Sequence, residues 1–145
     1  MIKKYLKKIF KKISYGVFFK VYGVIENSIE HSEDNRIKVK IITTENELSY
    51  RIYTISNGRL YTDRIQDTAA ILENKIIKGP SFQLRKGPGA HIFNSNIGDN
   101  IVFSKGTPRK LRNLNGSVLS LLTGGAGNNN YWHWLFDVLP RFGLC

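Results

Sequence analysis

Residues 118–139 read VLSLLTGGAGNNNYWHWLFDVL, and this stretch decides the predicted fold. The apolar run 118–122 is long enough for a buried strand, and residues 131–139 have the apolar spacing of a helix. The glycines between them allow a tight turn, and the asparagines at 128–130 can cap the free amides of the helix. Such a turn suits anionic or hydroxyl-rich ligands. Strand, glycine-rich turn and helix together predict an α/β fold.

Three polar residues on this helix carry chemical interest. His133, Asp137 and Arg141 stand four apart, so they share one face if the helix continues, although Pro140 would end or kink it near Leu139. A histidine with a carboxylate one turn away is the elementary unit of general-base chemistry. The carboxylate holds the tautomer of the ring, and the imidazole takes the proton.

A structural interpretation of the same helix stays open beside the catalytic one. The aromatic residues Tyr131, Trp132 and Trp134 could stack on a sugar ring, but a stripe of Tyr131, Trp134, Leu135 and Val138 could equally form core. His133 and Asp137 would then be a surface pair that contributes roughly 0.3–0.5 kcal/mol.

The segment NYWHWLFDVLPR, residues 130–141, resembles the motif that opens the catalytic domain of family 61 glycosyltransferases. That family includes bacterial capsular polysaccharide biosynthesis proteins. Residues 116–125 resemble the family's preceding strand and turn, and residues 57–63 and 80–83 resemble its N-terminal region more loosely. The resemblance implies an inverting enzyme of the two-Rossmann-domain (GT-B) type. It would transfer sugar from a nucleotide sugar to a cell-surface polysaccharide or glycan acceptor.

The resemblance assigns roles to individual residues. His133 and Asp137 become the catalytic pair, either of which could be the base, and Arg141 a clamp for a negative group. The substrate-binding residues are Asn130, Tyr131, Trp132, Arg141, Gly124 and Gly125. No paired aspartates occur at short spacing, so no metal ligands are expected among these residues.

The resemblance also implies that the chain is an N-terminal fragment. It stops at Cys145, within or just after the first helix of the catalytic domain. The nucleotide-sugar site would therefore lie in a longer parent protein, and these residues alone would bind no cofactor and be inactive. An isolated βα unit leaves apolar faces without partners, so we expect residues 116–145 to be unstable by themselves.

Composition places the chain among globular proteins and argues against nucleic acid as a partner. The hydrophobic fraction is 41% and the charged fraction 23%. Residues 1–25 hold seven lysines and no acid, whereas the other 120 residues hold 15 basic and 11 acidic side chains. The body therefore has no strongly basic stripe of the kind that follows a phosphate backbone. The single cysteine, Cys145, allows no disulfide within the chain, which fits a cytoplasmic protein.

Residues 1–25 form a predicted basic amphipathic helix. The apolar residues recur at helical spacing with lysine pairs on the opposite arc: Ile2, Leu6, Ile9, Phe10, Ile13 and Val17. A spanning helix needs about 20 apolar residues, and this segment has no such run. Two interpretations remain open: the helix lies on an anionic membrane surface at the inner face of the cell membrane, or its apolar stripe packs on its own protein.

The remaining organisation follows from local patterns. Residues 26–35 are predicted to be a polar linker, 36–115 a β-rich region and 116–145 the start of the catalytic domain. Ile37, Val39 and Ile41 predict a strand, as do residues 70–77 and 101–103. Asn57-Gly58 between apolar runs predicts a two-residue hairpin. The fold class is thus a β-rich part followed by the first βα unit of a truncated Rossmann-like domain.

Two other functions remain as alternatives. The chain could be a non-catalytic carbohydrate-binding or membrane-peripheral module, in which the aromatic residues bind glycan. It could also be a truncated reading frame without activity of its own. Tight binding of oligosaccharide without a nucleotide sugar would favour the binding module.

Overall fold

A computed structural model describes residues 2–64, 67–83, 85–87, 90–92, 96–105, 111–121 and 131–144. The helices within these ranges are α1 (Ile2–Tyr22), α2 (Ile101–Lys105), α3 (Tyr131–His133) and α4 (Leu139–Phe142), with a π-helical turn at Trp134–Val138 and 3-10 turns at His31–Glu33 and Ile97–Asp99. The strands are β1 (Asn27–Ile29), β2 (Ile37–Thr43), β3 (Ser49–Ile55), β4 (Arg59–Arg64), β5 (Asp67–Leu72), β6 (Lys75–Ile77), β7 (Phe82–Gln83), β8 (Arg85–Gly87) and β9 (Ala90–Ile92).

The largest sheet of the described residues has the order β1-β6-β5-β4, and β7 pairs with β5 on the edge that β5 also shares with β6. β1 runs parallel to β6, and the other pairs are antiparallel. All six residues of β5 are buried, so β5 is the central strand. Residues 69–72 of this strand, AAIL, are apolar on both sides, as a strand covered on both faces requires.

Two hydrophobic clusters cover the two faces of this sheet. Ala69 and Ile71 of β5 lie in one cluster with Ile101 and Val102 of α2. Their neighbours along the strand, Ala70 and Leu72, lie in the other cluster, against which Tyr53 and Ile55 of β3 pack. Alternate β5 side chains therefore point to α2 and to the β2–β3 pair respectively.

β2 and β3 form a hairpin, paired from Ile37↔Ile55 to Thr43↔Ser49. The Thr44 carbonyl accepts from the Glu47 amide, and the Thr44 amide donates to the Leu48 carbonyl. Glu47 has φ 60°, the left-handed residue that closes a three-residue hairpin loop. The strand predicted from Ile37, Val39 and Ile41 is confirmed as β2.

The hairpin predicted at Asn57-Gly58 is wrong. β3 pairs with β2, and β4 pairs with β5, so the turn joins strands of different sheets. Asn57 has a positive φ and Gly58 does not, whereas a type I′ turn needs both. The two-residue hairpin of this region lies instead at 73–74, between β5 and β6, where Glu73 has φ 55°. The single strand predicted over 70–77 is therefore two strands.

The polar segment predicted to be a linker, residues 26–35, contains regular structure. Asn27–Ile29 is strand β1, and Ile25 and Ile29 are buried, one in each of the two core clusters. Two apolar residues spaced four apart attach this polar segment to the sheet, since their burial outweighs the polarity of their neighbours. The division of the chain into domains stays a prediction.

Residues 101–103, predicted as a strand, are helical. The Asp67 carboxylate accepts from the Ile101 amide, and the Asn100 side chain accepts from the Val102 amide. These two acceptors bind backbone amides that have no hydrogen-bond partner within the helix, because they lie in its first turn. Capping by a distant residue therefore overrides the strand propensity of Ile101 and Val102.

The segment predicted as a buried strand before the glycine-rich turn is neither buried nor paired where it is described. Residues 118–120 are exposed, and residues 111–121 form no strand. Leu122 and the turn at 123–130 lie outside the described residues. A parallel strand needs neighbours that complete its hydrogen bonds, and the described part of the chain places none beside it.

α1 is a regular helix, as the spacing of its apolar residues predicts. None of the helices described here combines the length and the apolar character needed to cross a bilayer. The fold as described is mixed α/β, with most of its core around a strand-rich sheet.

Candidate functional site

The C-terminal helical segment, residues 131–142, is interrupted in the middle. It begins as an α-helix at Tyr131–His133, widens into a π turn at Trp134–Val138 and resumes as an α-helix at Leu139–Phe142. Pro140 has no amide to donate to the carbonyl of Phe136, and its ring would collide with that carbonyl in a regular α-helix. The wider turn relieves this collision, and the helix changes from π to α geometry at Leu139, where Pro140 predicts an end or kink.

The π turn changes the expected geometry of the polar residues. His133 precedes the turn, Asp137 lies inside it and Arg141 follows it. In a π turn the hydrogen bonds join residues five apart, so the α-helical alignment predicted for positions 133, 137 and 141 is not kept. The side chains of His133 and Asp137 lie outside the described part of the structure. π turns inside α-helices occur frequently at functional sites.

Large aromatic side chains lie on the surface of this segment. Trp132 and Phe136 stack with ring centroids 4.2 Å apart and planes tilted by 38°. Trp132 is 63% exposed and Tyr131 is 71% exposed, whereas Val138 is only 3% exposed. In the stripe that could form core (Tyr131, Trp134, Leu135 and Val138), Val138 is therefore buried and Tyr131 is not. All three predicted sugar-stacking residues are thus accessible to a ligand, since Trp134 is also 47% exposed.

Arg141 connects the helical segment to residues 111–121. Its Nη1 atom donates a hydrogen bond of 2.6 Å to the carbonyl oxygen of Leu121. A charged donor makes such a bond short and strong. Arg141 is half-buried and lines the edge of a cleft.

An open cleft of about 2860 Å³ lies between α1, strands β3 and β4, residues 111–121 and the end of α4. Small-molecule pockets are typically about 300–1,000 Å³, so this space suits an extended ligand or a further chain segment better than a single small molecule. No carboxylate occurs among the described residues that line it. The basic lining residues are Lys7, Lys11, Arg51, Arg59, Arg112 and Arg141.

The cleft-lining arginines differ in how far they are exposed. Arg51 and Arg112 are exposed. Arg59 is half-buried, donates from Nη2 to the Glu73 carbonyl at 3.0 Å, and has its pKa lowered by burial. A guanidinium keeps its charge even so, because its pKa starts so far above neutrality. A cluster of cations without acids produces a positive potential that attracts anionic ligands.

The sequence shows this cluster only in part. Arg112 belongs to the basic run Arg109-Lys110-Leu111-Arg112, which reads as a phosphate binder or a solvated face. Arg51 and Arg59 lie eight residues apart on strands of different sheets, and Lys7 and Lys11 lie on α1. They line one cleft only because the fold places α1, β3 and β4 around the same open space. No local spacing could have indicated it.

Three of the predicted site residues, Gly124, Gly125 and Asn130, lie outside the described residues. The part of the chain that is described contains no group of three or more histidine, cysteine, aspartate or glutamate side chains that could hold a metal ion. His31 is exposed and meets Tyr53 edge-on with ring centroids 6.4 Å apart, as expected of a surface histidine.

Comparison of the chain with protein-family models, curated proteins and solved structures gives no match.

Proposed function

We propose that this chain is the acceptor-side part of an inverting glycosyltransferase. The parent enzyme moves a sugar from a nucleotide sugar to a cell-surface polysaccharide or glycan, and residues 116–145 begin a Rossmann-like domain of the GT-B type. The observation that carries the proposal is the exposed aromatic pair Trp132 and Phe136. It lies on the same helical segment as His133 and Asp137, in the motif that resembles family 61 glycosyltransferases.

The proposed chemistry needs one general base and one site that stabilises the negative charge on the leaving group. An acceptor hydroxyl attacks the anomeric carbon while the bond from that carbon to the diphosphate oxygen breaks. The hydroxyl proton passes to His133, oriented by Asp137, or to Asp137 itself. Negative charge grows on the leaving nucleoside diphosphate, and cationic groups stabilise it.

The cationic cleft supports the acceptor side of this proposal. An acceptor polysaccharide is longer than a small molecule, and the cleft is correspondingly large. Its cationic lining selects a glycan that carries carboxylate or phosphate groups. The same proposal places the protein in the cytoplasm, because one cysteine allows no disulfide within the chain.

The proposal is tested with the native polypeptide that contains this chain and a panel of nucleotide sugars, with acidic and neutral oligosaccharides as acceptors. We expect one nucleotide sugar to release its nucleoside diphosphate only when an acceptor is present. The anomeric proton coupling of the product should show inverted configuration. Absence of release with every donor and acceptor contradicts the proposal.

A second candidate is a carbohydrate-binding module without transferase activity. The exposure of Tyr131 and Trp132 favours it, because sugar-stacking rings must be accessible. The two candidates differ in one measurement. A binding module should bind oligosaccharide but consume no nucleotide sugar. If the sugar stacks on Trp132, Trp132→Ala should abolish this binding.

A further inference from the structure

α1 has one side that lines the cleft and another side that does not. The residues of α1 that line the cleft are Lys7, Phe10, Lys11, Ser14 and Tyr15, which recur at helical spacing. The apolar stripe lies mostly on the other side of the helix. Its members are all exposed: Ile2, Leu6, Ile9, Ile13 and Val17.

This arrangement favours the membrane interpretation over packing on the described body. If the stripe packed on that body, its members would be buried, but Ile2 is 77% exposed and Ile13 is 62% exposed. Soluble proteins rarely leave a continuous apolar stripe of this length in water. The helix is about 30 Å long, from its 21 residues, so the stripe forms an extended apolar surface.

The charges around the stripe identify what covers it. Residues 1–25 contain seven lysines and no acid, so the borders of the stripe are cationic. A helix with lysines beside an apolar face lies in the plane of a membrane, with the apolar side chains among the acyl chains and the ammonium groups at the anionic headgroups. A protein groove of mixed charge would favour acids as well as bases on the helix, and residues 1–25 contain no acid.

We infer that α1 binds the surface of an anionic lipid bilayer through its exposed apolar stripe, and that its cleft-lining side holds the folded body away from the bilayer. Each lysine close to the surface strengthens the attraction, and salt weakens it. The cleft is then bounded on one side by a helix that lies along the membrane. This inference stands independently of the proposed function.

Flotation with vesicles tests the inference on the whole chain. We expect binding to vesicles of phosphatidylcholine mixed with phosphatidylglycerol, and much weaker binding to phosphatidylcholine alone. Raising the salt from about 0.1 M to about 1 M shortens the screening length from about 10 Å to about 3 Å and should weaken binding strongly. Absence of vesicle binding, or equal binding to both compositions at both salt concentrations, overturns the inference.

Matched variants show whether vesicle binding depends on the stripe and the lysines of α1 or on hydrophobicity and charge anywhere on the protein. Ile13→Asp should weaken binding at least tenfold, whereas Ile41→Asp on β2 should leave it unchanged, because Ile41 is equally exposed at 61% but lies on the body. Lys8→Gln with Lys12→Gln should weaken binding roughly thirtyfold, and the exposed pair Lys38→Gln with Lys40→Gln should not.

Circular dichroism confirms that each variant is folded. If Ile13→Asp binds vesicles as the native chain does, lipid does not cover the stripe. If the native chain is a dimer that ignores vesicles and Ile13→Asp is a monomer, a second copy covers it instead. Either result overturns the inference.

Discussion

The Asp67 carboxylate accepts a hydrogen bond of 3.1 Å from the backbone amide of Ile101. Asp67 begins the central strand β5, and Ile101 begins α2, so one side chain fixes where the helix starts and how it lies on the sheet. Asp67 is buried, and the adjacent Asn100 side chain donates to the Thr68 and Phe82 carbonyls, each at 3.4 Å. A polar network therefore joins α2 to one face of the sheet.

Removing the acceptor at this position should destabilise the fold. We expect Asp67→Ala to lower the free energy of unfolding by roughly 1–3 kcal/mol, because it leaves buried donors without their acceptor. Asp67→Asn keeps one side-chain oxygen and should cost less. Urea denaturation measures both, with the exposed Glu45→Ala as control. An Asp67→Ala loss no larger than that of Glu45→Ala contradicts the capping role.

Gly79 should tolerate no side chain. It has φ +97°, and a Cβ atom there would overlap the Tyr53 hydroxyl. Gly116 also has a positive φ, +93°, but a Cβ atom there would meet nothing within 4 Å. Gly79→Ala should therefore cost about 1 kcal/mol for the backbone plus roughly 1–3 kcal/mol for the overlap, whereas Gly116→Ala should cost only the first term.

Thermal unfolding of the two glycine variants makes this comparison. Tyr53→Phe removes the hydroxyl that the new Cβ would strike, so the double variant should recover part of the loss seen in Gly79→Ala. Equal losses in Gly79→Ala and Gly116→Ala would show that the Tyr53 contact is unimportant.

Asp34 should make stability depend on pH in the acid range. Its carboxylate accepts from Arg36 Nε at 3.0 Å and from Nη2 at 2.7 Å, and these bonds lower its pKa to about 2. The pKa in the unfolded chain is about 3.9, so the folded state favours the ionised form. The stabilisation is therefore complete above about pH 4 and is lost as the pH falls towards 2.

Two measurements check this expectation. Carbon NMR of the Asp34 carboxyl should show a midpoint near pH 2. The difference in unfolding free energy between the native chain and Asp34→Asn should shrink as the pH falls through that window, whereas Glu45→Gln should show no such convergence. A midpoint at the ordinary value for aspartate would contradict the ion pair.

The cationic cleft should distinguish glycans by charge. We expect an acidic oligosaccharide to bind more tightly than a neutral one of equal length, and added salt to weaken only the acidic one. Arg51→Gln and Arg112→Gln each remove one exposed charge from the lining and should reduce this preference. Lys38→Gln, on the exposed surface of β2, is the control. Isothermal titration measures these affinities, and a preference unaffected by both arginine variants would exclude the cleft as the binding site.

Local patterns predict those elements whose partners are close in sequence. The spacing of apolar residues predicts α1, and alternation predicts β2, since each pattern reflects one buried or apolar face. The position of Pro140 predicts the interruption of the C-terminal helix. In each case the physical cause lies within a few residues of the effect.

Patterns fail where a distant residue decides the structure. Residues 101–103 are helical because Asp67, more than thirty positions earlier, caps them. Asn57-Gly58 turns the chain, but the choice of partner for β3 and β4 depends on which sheet faces bury their side chains. The cleft arginines assemble through packing alone, so only the predicted Arg141 and the basic run around Arg112 could indicate that site.

The most direct test of the proposed function uses the native polypeptide and the nucleotide sugar that it consumes. Release of nucleoside diphosphate is measured for the native protein, His133→Ala, Asp137→Ala and the surface control Glu45→Ala. A general base contributes about 10²–10⁴-fold, so at least one of the first two variants should lose at least a hundredfold in turnover while Glu45→Ala keeps it. If both variants keep native turnover, His133 and Asp137 are not the catalytic pair and the proposed mechanism is wrong.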